Sequence, residues 1–392
     1  MRITEIRIEG FRSIRDVTVS DLPDLTLIVG ANNTGKSNVV SALKYLRTSW
    51  IGGPSFAPTD FCAFSELPEC KISVSVSLEK GELRQSYPGA AQMLGTEQRT
   101  IRSIFEPFET QLDRWTLVSS FEPQANAGVV SRRECILKGK LQFPQSVTIN
   151  GNPVDSKNLI TILSQAVGIW VSSRINVLGP TRRPSPSVGA IPQDTLADDA
   201  SNLANALYRH WGAHDPQFNE LQAWVREIFP SVESVVLVPS SNGPITLGIK
   251  EKGVSIIVPL DAMSSGITQA IAILALIALA PDGSLVTIEE PEAHFNPASL
   301  ALLMKRLVVE SPRTRMIIAT HSTDILNRID IGPDVWQASR GERGDTVLQR
   351  LNKIEYIGWL SQSLEGVSPG APGTVPPRQP PAAESGAKTR KT

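Results

Sequence analysis

The chain has 392 residues, 41% of them hydrophobic and 20% charged, which excludes a wholly disordered or fibrous protein and fits two or three compact units. Lys plus Arg number 38 against 39 Asp plus Glu, a formal net charge of -1, so no global basic field points to nucleic acid or an anionic membrane. The longest apolar run, Ala270 to Ala280, is too short for a bilayer span. The opening Met1-Arg2-Ile3-Thr4-Glu5 is no secretory leader, and Cys62, Cys70 and Cys135, without CxxC spacing, fit free thiols in a reducing cytoplasm.

In chain order, alternation at Ile3, Ile6 and Ile8 and then at Val17 and Val19 predicts a hairpin, and Leu25 to Val29 a buried strand. A helix follows from Lys36 through Leu46 with Val39, Val40, Leu43 and Leu46 inward. Ile72 to Leu78 alternates Ser with apolar residues as a strand does, whereas residues 81–155 mix Gly, Pro and polar breaks and yield no clear element. Helical spacing returns at Leu159 to Val171, Leu196 to Trp211 and Phe218 to Phe229. Short strands at Val235–Val238, Ile245–Ile249 and Val254–Val258 are separated by the turn sequences Ser241-Asn242-Gly243 and Glu251-Lys252-Gly253. A helix from Ser265 to Ala280, a strand Leu285–Ile288, a helix Ala298–Val309 and a strand Met316–Ala319 complete the pattern. Val367 to Thr392 is rich in Pro, Gly, Ala and Ser with a basic end, a composition that predicts a disordered tail.

Four segments carry chemistry. Gly30-Ala31-Asn32-Asn33-Thr34-Gly35-Lys36-Ser37 satisfies G-x4-G-K-[ST] between a buried strand and a helix. Such a loop wraps phosphates with inward amides, its lysine neutralises β and γ phosphates and its serine ligates Mg²⁺. Leu285-Val286-Thr287-Ile288-Glu289-Glu290 delivers two acids at a strand's carboxyl end; Glu289 is the expected Mg²⁺ residue and Glu290 the acceptor of the attacking water's proton. His321 directly follows a buried strand, within reach of Glu290 if the strands are neighbours, and would contact the γ phosphate. Met263-Ser264-Ser265-Gly266 opens an apolar helix, which is good capping chemistry and also an anion site, best suited to a nucleotide on a neighbouring subunit.

Taken in order, these motifs resemble the ABC-type ATPase head, and more narrowly the RecF/SMC/OLD-like ATPases without a Toprim nuclease. Ile8-Glu9-Gly10-Phe11-Arg12-Ser13-Ile14 is similar to that group's first strand and turn, which implies that Arg12 lies near the nucleotide. Leu178-Gly179-Pro180-Thr181-Arg182-Arg183 and Ser201-Asn202-Leu203-Ala204 look like further segments of the same relatives. The resemblance implies an α/β P-loop fold of ABC-ATPase head type, with a mixed sheet, an antiparallel β-lobe and an inserted helical lobe. The expected division is an N-terminal half of the head over 1–80, an inserted lobe over 81–230, a C-terminal half over 231–360 and the tail over 367–392.

By the same resemblance, ATP is sandwiched between two heads, with Gly30 to Ser37 binding it in one and Ser264, Ser265 and Gly266 touching its γ phosphate from the other. Glu289, Glu290 and His321 take the Mg²⁺, general-base and switch roles. The family's Mg²⁺-shell glutamine has no evident counterpart; Gln85, Gln92, Gln98 and Gln111 lie in the unassigned region. The function implied is an ATP-hydrolysing switch, a homodimer through ATP, acting in DNA repair or antiviral defence with DNA or a separate effector nuclease as candidate partners, and with no membrane. The alternative is an ATP-sensing scaffold with negligible turnover; a transporter motor fits the altered signature poorly. Arg132-Arg133, Arg182-Arg183 and the basic tail are the only candidate DNA patches, and any one of them is more readily a solvated charge; for Arg182 the other alternative is a reach to the nucleotide.

Overall fold

A computed structural model describes residues 1–52, 56–63, 69–123, 129–139, 141, 143–185, 187–188, 193, 195–212, 215–239, 244–322, 325, 334–352, 355–356 and 358–359. The chain begins with the antiparallel pair β1 (Arg2–Phe11) and β2 (Ile14–Ser20), then β3 (Leu25–Val29), all five of whose residues are buried, and α1 (Lys36–Ile51). The region without a sequence pattern folds as β4 (Cys70–Ser77), α2 (Tyr87–Leu94), α3 (Gln98–Phe105), β5 (Arg114–Pro123), β6 (Val129–Leu137) and the small hairpin β7 (Ser146–Ile149) and β8 (Asn152–Asp155). There follow α4 (Ser156–Ser173), β9 (Ile175–Leu178), β10 (Ser187–Val188), α5 (Leu203–Gly212), α6 (Pro216–Ile228), β11 (Val232–Pro239), β12 (Ile245–Glu251) and β13 (Ile257–Pro259). The last part contributes α7 (Ser265–Leu279), β14 (Leu285–Glu289), α8 (Pro297–Glu310), β15 (Arg315–Thr320), β16 (Asp334–Arg340) and β17 (Thr346–Leu351).

The central sheet runs β17-β16-β3-β15-β14-β9 and is parallel except for β17 at its edge. Parallel strands bury both faces, so each reads as a near-continuous apolar run. Alternation then sorts their residues between two cores: Leu27, Ile288 and Ile318 face α5 to α8, while Ile28, Leu285 and Ile317 face the opposite side. On that opposite side α1 touches the central strands and also the antiparallel sheet β2-β1-β4-β5-β6, so it lies between the two sheets. A third sheet, β10-β12-β11 with β13 on β12, covers the other core. Helix α7 is apolar almost all round because it is buried almost all round. This arrangement is the α/β architecture with mixed sheet and antiparallel lobe that the motifs implied.

Several boundaries differ from the sequence pattern for local reasons. Helix α5 starts at Leu203 rather than near Leu196 because the Asp199 and Asn202 side chains accept from the amides of Ser201 and Ala197, and Ala200 turns to a φ of 57°. Helices α4 and α6 start earlier, each capped by an aspartate: Asp155 accepts from the Lys157 amide and Asp215 from the Gln217 amide. The third short strand begins only at Ile257, and Ile256 is 68% exposed. Strands β9, β16 and β17 have no counterpart in the sequence reading. The turn at 241–243 and the tail at 367–392 lie outside the described residues. No helix among the described residues is long and apolar enough to cross a membrane. Cys70 and Cys135 form no disulfide among the described residues, and burial pushes their thiols up, away from the thiolate form that reacts.

Where α1 crosses α4, Gly168 leaves room for the Trp50 ring, which a Cβ at 168 would overlap. Gly168→Ala should cost about 1–3 kcal/mol through overpacking. The expected readout is a lower urea midpoint with unchanged slope, partly restored by Trp50→Leu.

Candidate functional site

The phosphate-type loop joins β3 to α1. Gly35 caps the helix at a φ of 100°, and a Cβ there would fall on the Thr346 side chain, so only glycine fits. Asn33, at a φ of 62°, supplies the second left-handed turn. The loop is clamped from outside by the β16–β17 hairpin. Arg340 donates from Nε to the Asn33 carbonyl at 2.7 Å and from Nη2 to Asn33 Oδ1 at 3.1 Å. Thr346 Oγ1 donates to the Thr34 carbonyl at 2.9 Å and lies 2.6 Å from Ser13 Oγ, which in turn accepts from Asn38 Nδ2. Ala31, Asn32, Asn33 and Ser37 remain exposed, so the outer side of the loop is open.

Lys36 is only 7% exposed, its Nζ donating to the carbonyls of Gly30 at 2.8 Å and Ala31 at 2.7 Å. Burial lowers its pKa, and the attraction of Glu290, Glu292 and Glu289 opposes that. Strand β14 runs parallel beside β15, which runs beside β3, so the three carboxyl ends share one edge of the sheet. Glu289 is buried there and bonded to Ser37; burial raises its pKa and the Ser37 hydrogen bond opposes it. Glu290 stands at a φ of 45°, its amide donating to the Ala319 carbonyl at 2.8 Å. His321 Nδ1 lies 3.5 Å from Glu290 Oε1 and 3.8 Å from Glu292 Oε1. The sequence reading gave Glu292 no part, although it stands in the same acidic run. Its Oε1 accepts from Thr320 Oγ1 at 2.6 Å, and its buried Oε2 has no hydrogen-bond partner among the described residues.

The edge strand beside β14 is β9, and the side chain that reaches the acids from the segment after it is Arg182. Gln92 and Gln98 lie on α2 and α3, Gln111 ends a short helical turn, and Gln85 accepts from Arg174 ahead of β9, so none of the four occupies that segment. Arg182 is 4% exposed and donates to the carbonyl of Glu289 and to Gln269 Oε1 at 3.2 Å. Burial draws its pKa down to about 10, against the pull of Glu292, Glu289 and Glu290. An arginine so buried is unavailable as a DNA contact, which corrects that candidate; Arg132, Arg133 and Arg183 are exposed.

Ser264 caps α7 through the Ile267 amide, and Ser264 and Ser265 are exposed at the helix start. Gly266 is required where it stands because a Cβ would meet the His294 carbonyl at 2.8 Å, in the loop that follows the acids. Arg12, at a φ of 49°, pairs through Nε with Asp60 at 2.9 Å and through Nη1 with Ser41 at 3.3 Å, while its charge still acts on Glu289. The residues suit a nucleotide with a hard divalent cation. The buried ammonium of Lys36 bonds to the loop carbonyls of Gly30 and Ala31, and the Ser37 hydroxyl meets the Glu289 carboxylate as an oxygen donor pair.

The sequence model of the family described as "AAA domain, putative AbiEii toxin, Type IV TA system" matches residues 25–327. The uncharacterized protein MJECL44 of Methanocaldococcus jannaschii is 34% identical over 61 residues, which is 16% of this chain and 18% of that protein. In fold, the chain is similar to an Smc head bound to the C-terminal winged-helix domain of ScpA, with a TM-score of 0.54 and 16% identity over 91% of this chain and all of that one. An Smc head with an extended coiled coil, bound to the C-terminal domain of ScpA from Pyrococcus furiosus, gives a TM-score of 0.52 and 14% identity over 93% of this chain and 99% of that one.

Because Glu289 has its pKa raised above the ordinary 4.5, the folded state binds the proton more tightly than the unfolded one, and stability falls as pH rises through that window. Glu289→Gln should therefore raise the thermal midpoint of the nucleotide-free protein at pH 7.5. The gain should shrink as pH is lowered toward 4.5, as scanning calorimetry across that range would read.

Proposed function

The chain belongs to this AAA-domain family, and on that footing we propose that it is an ATP-hydrolysing switch whose heads close in pairs on ATP and reopen after hydrolysis. The observation that carries the reading is the meeting of Lys36, the Ser37–Glu289 pair and the Glu290–His321 pair at the carboxyl ends of adjacent parallel strands. The amides of Gly30, Ala31, Asn32, Asn33, Thr34 and Gly35 cradle the triphosphate, and Lys36 lies against its β and γ groups. Ser37 and Glu289 would hold Mg²⁺, which would supply neutralisation of the phosphate charge. Glu290 orients the attacking water and accepts its proton, its left-handed backbone turning the carboxylate off the strand axis. His321, beside Glu290, senses the γ phosphate, and Arg12 supports the site through Ser41 on α1.

Ser264, Ser265 and Gly266 act in trans on the partner's nucleotide. Their exposure at the start of α7 supports this, since a helix end with free polar groups is an anion site looking outward. Within the family we assign the chain to the RecF/OLD-like branch, cytoplasmic, with the head built from 1–80 and 231–360 and with the expected 81–230 insert lending β9 to the central sheet and β5 and β6 to the antiparallel one. Its downstream action is DNA repair or antiviral defence, through DNA or a separately encoded effector nuclease. The second reading, an ATP-sensing scaffold with negligible turnover, is separated by chemistry rather than fold.

Lys36→Ala should abolish ATP binding, and Glu290→Gln should lower phosphate release about 10²- to 10⁴-fold while accumulating ATP-bound dimers. Phosphate-release kinetics and light scattering on eluting peaks test both. Equal, negligible release by wild type and Glu290→Gln would establish the scaffold reading instead.

A further inference from the structure

Arg182 and Gln269 form a reciprocal pair. Arg182 Nη1 donates to Gln269 Oε1 at 3.2 Å, and Gln269 Nε2 donates back to the Arg182 carbonyl at 3.1 Å. Both residues are buried, Gln269 to 6% exposure. From this pair the same guanidinium reaches on to the carbonyl of Glu289 and lies 3.5 Å from that of Glu290. Gln269 sits in the second turn of α7, directly behind Ser264, Ser265 and Gly266, and Glu290 is the left-handed residue that follows β14. A full buried charge placed on main-chain carbonyls rather than on a carboxylate side chain is a costly arrangement. It fixes the direction of those carbonyls, and with them the φ and ψ that aim the Glu290 side chain. A second contact joins the same two segments, since Gly266 packs on the His294 carbonyl four residues beyond Glu290.

We propose that Arg182 and Gln269 form a brace tying the serine-bearing start of α7 to the acid-bearing end of β14, so that a head's grip on its partner's nucleotide positions Glu290 on its own. This rests on the two-head reading above and adds to it that the two nucleotides of a closed pair are coupled through each head's interior. Both residues are positioning residues, since neither touches the reacting atoms. A displacement of α7 when Ser264 and Ser265 meet a phosphate is passed by Gln269 to Arg182, and by Arg182 to the Glu289–Glu290 peptide. One hydrogen bond in each direction between Gln269 and Arg182, on a helix buried almost all round, couples the two segments.

Gln269→Met tests the brace with little change in volume, and it leaves Arg182 its carbonyl contacts. In the full chain the variant should keep the wild-type KM for ATP within about twofold and lose kcat about tenfold, with the Hill coefficient falling from about 2 toward about 1. Combined with Glu290→Gln, it should still form ATP-dependent dimers, because the α7 cap is intact. Arg182→Lys, which keeps the charge and loses the planar reach, should behave in the same way. Unchanged kcat and Hill coefficient in Gln269→Met would overturn the brace, as would a lower kcat with cooperativity retained, the mark of mere structural support. Absence of ATP-dependent dimers in the Glu290→Gln protein without the second substitution would instead bring down the two-head reading, and the coupling with it.

Discussion

Five charges gathered at one edge of the central sheet, with Lys36, Arg182 and Glu289 buried and Glu290 still open to solvent, are the constraint on which the site is built. Lys36 and Arg182 are both buried, and Glu289, Glu290 and Glu292 press on both. A lone ion in such a place costs several kcal/mol, so each of these ions depends on the others being where they are. None of the five is near another in sequence except the three acids. The parallel ladder β3-β15-β14-β9 brings them together, because it alone delivers the loops after residues 29, 178, 289 and 320 to one edge. The apolar runs of those strands and the sandwiching of α1 thus serve electrostatics as much as packing.

The backbone around this cluster is held in conformations that ordinary residues avoid. Arg12, Asn33, Glu290 and His294 all have positive φ, at a cost of about 1–3 kcal/mol for each such residue. Each is restrained by something outside its own segment: Asp60 for Arg12, Arg340 for Asn33, the Ala319 carbonyl for Glu290 and the close approach of Gly266 for His294. Strain gathered at one place and held from several directions is what a preorganised site looks like.

The placement of the loop and acids was legible because it is local. Gly30 to Ser37 must be contiguous to wrap a phosphate, and Glu289 and Glu290 must follow a strand, so motif and context carry both. The neighbourhood of Glu290 and His321 was legible only conditionally, through the strand order. What escaped was built from separated pieces. Strand β9 is four residues long and is separated from α4 by only one residue, while β16 and β17 alternate too weakly to stand out from loop. Arg182 read as half of a surface Arg-Arg pair, since nothing in its neighbours announces that one arginine turns inward and the next outward. Residues 81–155 were opaque because β5 and β6 gain their meaning from pairing with β4 rather than from their own pattern.

The hairpin β16–β17 that clamps Asn33 and Thr34 comes from residues 334–351, some three hundred positions after the loop it shapes. Strand β3 likewise has both its sheet neighbours, β15 and β16, near the far end of the described chain. During synthesis the ribosome therefore exposes a strand with two bare edges and an unformed phosphate loop long before anything can cover them. Such a chain folds through distant pairings, slowly and at risk of sticking to its neighbours. The phosphate loop can take its clamped shape only once residues 334–351 are in place.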